Sequence, residues 1–426
     1  MPDGGWLQVG DAMQNNLNEP FDLLASTDCP RVIVAPTYRL NLFGFLASRE
    51  LAELHEDVAA GNYGFWDQRM ALEWTHKHIS LFGGDNGNIT VGGLSAGAYS
   101  SFFQLSYDSF LPRERRIIKR VYLWSNAVGA QPNPSTGESN ALQFDELIAN
   151  FRISPMVSAR EMIAALRKIP FEALVNAIPS LKFHTFRATT DNSFVSSKFL
   201  SSIHDGSFAA RLKENGTSLM LGEVADEGLL YRLVNPPSSR DGLVVQLNNY
   251  YPLHVVHALL NIYHLPDPSA PRAAWVDIFG QICGDCQVHA MIRGLAHSLL
   301  ESPDPSHALH ISSVHRYRIK WRAKALDEWL KPELRVCHAA DEPIWWASGW
   351  RIGYSEEDKM KVNAFVEPFG NFLKGDEVNW GTENVRQIRE MGTDGLVRVV
   401  QDDRWDWGLE VWQAMWDAQR DIKPQI

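Results

Sequence analysis

The segment Gly93-Leu94-Ser95-Ala96-Gly97 places a serine at G-x-S-x-G spacing. The bare pattern is common; its surroundings give it meaning. Ile89 to Gly92 is β-rich, and Ala96, Gly97 and Ala98 open a helix-compatible run. A strand, a sharp turn with serine at its tip and then a helix make a nucleophile elbow, and small flanking residues let strand and helix approach closely. In that geometry the Ser95 hydroxyl stands clear of the sheet at a helix N-terminus, and the backbone N–H of Ala96 faces a developing oxyanion. The chemistry is acyl transfer. A serine hydroxyl is a weak nucleophile at neutral pH, so a base must take its proton, and a carboxylate must orient that base. In folds that build this elbow the acid follows the serine and the histidine comes last. Asp226 and Glu227 lie just beyond the strand-like Leu219-Met220-Leu221, where such groups gather. The chain has 14 histidines, and residue type alone does not choose among them.

The elements that must position these groups alternate along the chain. Val32-Ile33-Val34, ended by Pro36, reads as a short buried strand, as do Ile89-Thr90-Val91, Val121–Trp124 and Leu219–Leu221. From His315 to Trp321 apolar and basic residues alternate. That pattern predicts a strand with one wetter face, near the edge of its sheet. Trp66, Met70 and Trp74 form a stripe at helical spacing, with His76 and His78 on the wet face. Ser158 with Glu161, and Ser355 with Asp358, mark capped helix starts. Trp405, Leu409, Trp412 and Trp416 form a stripe that docks a helix on the core. Strands alternating with helices predict an α/β fold, a mostly parallel central sheet flanked by helices. Helical excursions are expected at about 130–215 and 230–310, shaping a substrate gorge.

Composition limits the alternatives. The 426 residues are 45% hydrophobic and 11% aromatic, enough for a sizeable core, and large α/β enzymes often fold as one unit. A net charge of −11 argues against a nucleic-acid or anionic-membrane surface. No run of about eighteen apolar residues reads as a membrane span. Cys29, Cys283, Cys286 and Cys337 are too sparse for a disulfide framework. Cys283-Gly284-Asp285-Cys286 lacks the second ligand pair of a zinc site, so no metal or cofactor is expected. The Asn88 sequon runs into a strand and is a poor glycan site.

Further motifs cover nearly the whole chain. Tyr38-Arg39 with Gly44-Phe45-Leu46 gives YR-x-x-x-x-GFL. Asn62, Gly64, Asp67-Gln68, Ala71-Leu72 and Trp74 give N-x-G-x-x-DQ-x-x-AL-x-W, and Phe82 to Asp85 reads FGGD. Leu221-Gly222 precedes Asp226-Glu227-Gly228, Cys337-His338-Ala339-Ala340-Asp341 precedes Pro343, and Phe372 to Asp376 forms a late F-x-x-G-D turn. Together these resemble the type-B carboxylesterase/lipase family, which holds cholinesterases and several fungal lipases. The resemblance implies an α/β-hydrolase fold and a serine esterase. It places the catalytic acid at Glu227, over its rival Asp226, and the base at His338. Asp341 either orients the histidine loop or is a solvated acid.

Two departures matter. Leu94 stands where many relatives carry Glu, which implies less preference for cationic substrates and no cholinesterase assignment. Gly4-Gly5-Trp6 resembles the end of an H-G-G-G-like oxyanion loop, with Pro2 and Asp3 where His and Gly are usual. Gly4 and Gly5 would then join Ala96 as oxyanion donors. The strand leading into that loop normally lies between the Val32 strand and the elbow strand. Its absence suggests that Met1 is not the natural start, and that Gly4 and Gly5 are poorly anchored if it is. Localisation is cytoplasmic as written, and secreted if an upstream signal peptide is missing. The expectation is one α/β-hydrolase domain over 1–426 lacking the usual N-terminal strands. It would cleave a small-molecule ester through Ser95, His338 and Glu227, with oligomeric state open. The alternatives are a lipase or thioesterase on the same fold, or a non-catalytic binding protein.

Overall fold

A computed structural model describes residues 5–11, 19–26, 30–54 and 61–420. Its described strands are β1 (Thr90–Leu94), β2 (Arg120–Trp124), β3 (Ser218–Val224), β4 (Val314–Ile319), β5 (Gln387–Met391) and β6 (Val397–Gln401). They form one six-stranded sheet in the order β1-β2-β3-β4-β5-β6. All neighbours are parallel except β5 and β6. The helices that matter for the site are α1 (Tyr63–His78), α2 (Ala96–Phe110), α3 (Ala159–Leu166), α4 (Arg272–Gly284), α5 (Ala290–Leu300), α6 (Glu356–Lys374) and α7 (Trp405–Arg420). Helices fill both expected excursions, between β2 and β3 and between β3 and β4. Among the described residues, no helix is long and apolar enough to cross a membrane.

The inner strands β2 and β3 are largely apolar because both of their faces are covered. Successive side chains point to opposite faces. Val121, Leu123, Leu219 and Leu221 thus join one core cluster, while Tyr122, Trp124, Met220 and Tyr317 join the other with Phe365, Phe369 and Phe372 of α6. Glycine makes the large rings fit. Gly222 pairs with Tyr317 across β3 and β4, and a Cβ on Gly222 would stand 1.8 Å from that ring. The capping boxes at Ser158 and Ser355 both form, starting α3 and α6. The α7 stripe docks as expected, with Trp405 and Trp412 buried.

Three expectations are corrected. Val32-Ile33-Val34 forms no strand, and Val32 is 45% exposed. A strand exists only through pairing, and no described strand lies on that side of β1. The segment instead lines a cleft of about 520 Å³ beside the open edge of β1, with Leu72, Ile89, Val91 and Phe369 on its other walls. Secondly, β4 is neither wet nor at the edge. It lies between β3 and β5, with Arg316 and Arg318 buried. Carboxylates compensate the buried charge: Arg316 pairs with Asp402, and Arg318 with Asp403 and Glu390. Thirdly, the α1 stripe faces outward. Beyond Trp66, which packs partly buried against the core, Met70 and Trp74 are exposed, while Phe65, Gln68 and Arg69 are buried. Arg69 can turn inward because Asp108 of α2 meets it at 2.8 Å.

Candidate active site

Ser95 stands between the end of β1 and the start of α2. Its φ of 58° and ψ of −121° lie where side chains are disfavoured, at a cost of about 1–3 kcal/mol. Two hydrogen bonds hold it there: its N–H donates to the Trp124 carbonyl, and its carbonyl accepts the Tyr99 N–H, each at 2.9 Å. The first N–H groups of a helix have no intrahelical acceptor, and that of Ala96 is the first in α2.

Glu227 follows β3 in a turn. It is fully buried. Its Oε1 accepts the Val224 N–H at 2.9 Å, and its Oε2 accepts from His338 Nδ1 at 2.6 Å. The turn packs tightly on α4: a Cβ on Gly228 would stand 2.6 Å from the Gly280 carbonyl. Asp226 has a different task. It exchanges bonds with Val336, the Asp226 N–H donating at 3.0 Å and its Oδ2 accepting the Val336 N–H at 3.4 Å. Arg335 adds an ion pair at 3.3 Å. Asp226 thus ties down the loop that carries His338 without touching the imidazole.

His338 is buried, and its Nε2 has no hydrogen-bond partner. Burial alone would lower its pKa. The charge and hydrogen bond of Glu227 outweigh that and raise it above the ordinary value. With Nδ1 donating to a carboxylate, the neutral ring presents Nε2 as a base. Ser95 and Glu227 emerge at the carboxyl ends of β1 and β3, two strands and roughly 10 Å apart, which leaves room for an imidazole between them.

The other expected residues fall into place as follows. Asp341 is buried rather than solvated. Its Oδ2 accepts from Trp345 Nε1 at 2.9 Å, while Oδ1 has no partner. Burial and the nearby Glu227 charge push its carboxyl up to about 6. Gly4 lies outside the described residues. Gly5 has φ 92°, and a Cβ there would meet the Val9 carbonyl at 2.0 Å. The segment after Gly5 is held by several contacts. Gln8 bonds the Phe186 backbone in both directions, at 2.6 and 3.1 Å, and Leu7 is buried. Trp6 packs edge-on against Tyr231, 6.4 Å between centroids, and the Tyr231 ring lies 6.0 Å from that of His338. Burial pushes the Cys283 and Cys286 thiols up, and that of Cys337 up to about 11, so none is a ready nucleophile; Cys29 lies outside the described residues. No group of three or more potential metal ligands occurs among the described residues.

Sequence reasoning missed Tyr231, although its signal was present. It lies four residues after Glu227, on the same face of a helical turn.

The sequence profile of the carboxylesterase family matches residues 3–395. The chain belongs to the carboxylesterase family. Its relatives agree with that placement. An esterase/lipase of Schizosaccharomyces pombe named as uncharacterized is 41% identical over 413 residues, covering 96% of this chain and 75% of the relative. A carboxylic ester hydrolase of Gibberella moniliformis is 36% identical over 424 residues, covering 98% and 76%. Lipase 2 of Diutina rugosa is 26% identical over 239 residues, covering 54% and 40%. This carboxylesterase-family chain has the α/β-hydrolase fold, and it is a carboxylic ester hydrolase.

The family motifs have local causes in this member. Asp67 forks onto the Arg39 guanidinium, both bonds at 2.7 Å. Gln68 donates to Ser100 of α2 at 3.1 Å. Asn62 and Thr189 exchange two hydrogen bonds, at 2.8 and 3.0 Å. The motifs fix α1 against the elbow helix and the first excursion.

Proposed function

We propose that this protein cleaves carboxylic esters through an acyl-enzyme on Ser95. His338 takes the serine proton at Nε2 and returns it to the leaving alcohol. Glu227 holds the ring in that tautomer and stabilises the imidazolium. The N–H groups of Ala96, Gly5 and Gly4 stabilise the tetrahedral oxyanion. Water then attacks the acyl-enzyme, His338 again acting as base. The whole of 1–426 works as one domain in this reading.

One observation carries the proposal. A fully buried Glu227 engages His338 Nδ1 at 2.6 Å, and the opposite ring nitrogen has no hydrogen-bond partner. With Nδ1 held by the carboxylate, Nε2 is free to take a proton from a nucleophile. The test is hydrolysis of p-nitrophenyl acetate and butyrate by the chain and its Ser95→Ala and His338→Ala variants. Turnover lost in both variants, with melting temperatures kept, supports the assignment. Turnover that survives Ser95→Ala rules Ser95 out as nucleophile. A folded chain with no turnover favours a non-catalytic binding protein.

A further inference from the structure

Beyond the carboxyl end of β2 lies a cavity of about 80 Å³. Its wall runs from Tyr99, one turn along α2 from Ser95, through Ala127–Asn133 beyond the carboxyl end of β2, to Arg187, Tyr250 and Gln287. Ligands of open α/β sheets sit outside the carboxyl ends of the strands, so the cavity is on the reacting side. Its lining contains one charged residue, the cation Arg187, and no carboxylate.

Arg187 is held in place yet left without a counter-ion. The strap that carries it is pinned on both sides, by the Phe186 bonds to Gln8 and the Thr189 bonds to Asn62. Its guanidinium lies over the Tyr99 ring, 5.0 Å to the centroid, and over the Tyr250 ring at 5.2 Å. Arg187 hydrogen-bonds the Tyr99 side chain, while its buried Nη1 has no partner. No ion pair joins it to any described acidic residue. Arginine presents its donors as a planar fork suited to carboxylate. A half-buried guanidinium with an unpartnered Nη1 and no counter-ion keeps donors for an anion that arrives from outside. The buried amide oxygens of Asn248 and Asn249 also lack partners, which leaves acceptors for a hydroxyl or water beside that anion.

We propose that Arg187 forms an anion subsite of the ester-binding pocket, so that the preferred substrates carry a carboxylate at the far end of the acyl chain. This rests on the ester-hydrolase reading above and names its substrate class. Tyr99 lies one helical turn of about 5 Å along α2 from Ser95, and the guanidinium rests 5.0 Å from the centre of its ring, so a single side chain joins the cation to the elbow helix. Monoesters of five- and six-carbon dicarboxylic acids serve as probes of the spacing. The reaction is ordinary hydrolysis: water adds across the acyl–oxygen bond, releasing the alcohol and the free diacid.

The experiment pairs mono-p-nitrophenyl glutarate and adipate with their neutral counterparts, p-nitrophenyl valerate and hexanoate. The expected result is a kcat/KM at least tenfold higher for the anionic esters, declining as salt rises. Arg187→Gln should erase that preference, and Arg187→Lys should keep part of it. In parallel, calorimetry with adipate alone reads the subsite without catalysis; binding by the parent chain and its tenfold loss in Arg187→Gln are expected. Equal turnover of charged and neutral esters by the parent chain overturns the proposal, as does undiminished adipate binding to Arg187→Gln. If no ester is turned over at all, the ester-hydrolase reading falls, and adipate calorimetry alone decides the anion subsite.

Discussion

His338 and its two carboxylic neighbours set the pH response of the site. As a base, the imidazole works only when neutral. Glu227 raises its pKa above the ordinary value, so kcat/KM should fall on the acid side at a pH above about 6.5, the unperturbed histidine value. A pH profile of p-nitrophenyl butyrate hydrolysis checks this, and an acid limb below 6 contradicts it. Asp341 contributes to the same shift, because its anionic form also raises His338. Asp341→Asn should therefore move the acid limb to lower pH while keeping turnover at alkaline pH. A merely structural role for Asp341 would leave the limb in place. Glu227→Gln should cost roughly a thousand- to ten-thousand-fold in kcat, through loss of the working tautomer. At this scale the sequence was informative wherever a motif fixed the local backbone: Ser95 lies in a strand-turn-helix that its own neighbours specify. Asp341 was harder to read, since its burial depends on Trp345 and Glu227 converging from outside its loop. Arg187 belongs to no motif, and the cavity that gives it meaning is built from several separate stretches of chain.

Among the elements, β4 shows why alternation can mislead. Basic residues on every second position ordinarily mean a solvated face. Here Arg316 and Arg318 turn inward because acids from distant segments meet them. The centre of that arrangement is Glu223 of β3, which takes Arg293 of α5 on both oxygens, at 2.7 and 2.9 Å. Arg293 reaches on to Asp402 at 2.7 Å. No local pattern announces such a cluster, since its members lie as far apart as residues 223 and 402. Removing one partner leaves buried charge uncompensated, so Arg293→Ala should destabilise by about 3–5 kcal/mol, measurable by urea unfolding. The pH sign follows from Glu223. Burial opposes its ionisation, but Arg293 and His289 hold its carboxyl well below the ordinary value. Its contribution is complete above the unfolded-state value of about 4.3 and is lost as pH falls through the depressed one. The parent chain should therefore lose more stability below pH 4 than a Glu223→Gln chain does. Parallel acid titrations of the two, followed by circular dichroism, make the comparison. Helices were easier to read than strands, because caps such as Ser158 and Ser355 act within one turn. The Val32 run failed as a strand because pairing is a property of two segments, and its composition describes only one.

Seen whole, the molecule is a layered α/β body whose two apolar clusters meet across β2, β3 and β4. Ser95 and Glu227 follow the carboxyl ends of β1 and β3. The proposed nucleophile follows β1, which among the described residues has a paired strand on one side and a cleft on the other. Stability is not uniform in a folded chain, and segments with fewer supporting bonds open at lower free energy than the core. The amides of β1 should accordingly exchange with solvent deuterium faster than those of β2 and β3. On warming, ester hydrolysis should disappear several degrees before the emission of the 15 tryptophans reports unfolding, since such core residues as Trp345 and Trp405 lie elsewhere. Coincident midpoints for inactivation and unfolding would show that the edge is as firm as the centre. If they separate, heat tolerance of activity is decided by one rim strand, and stiffening the interior would leave the working temperature unchanged.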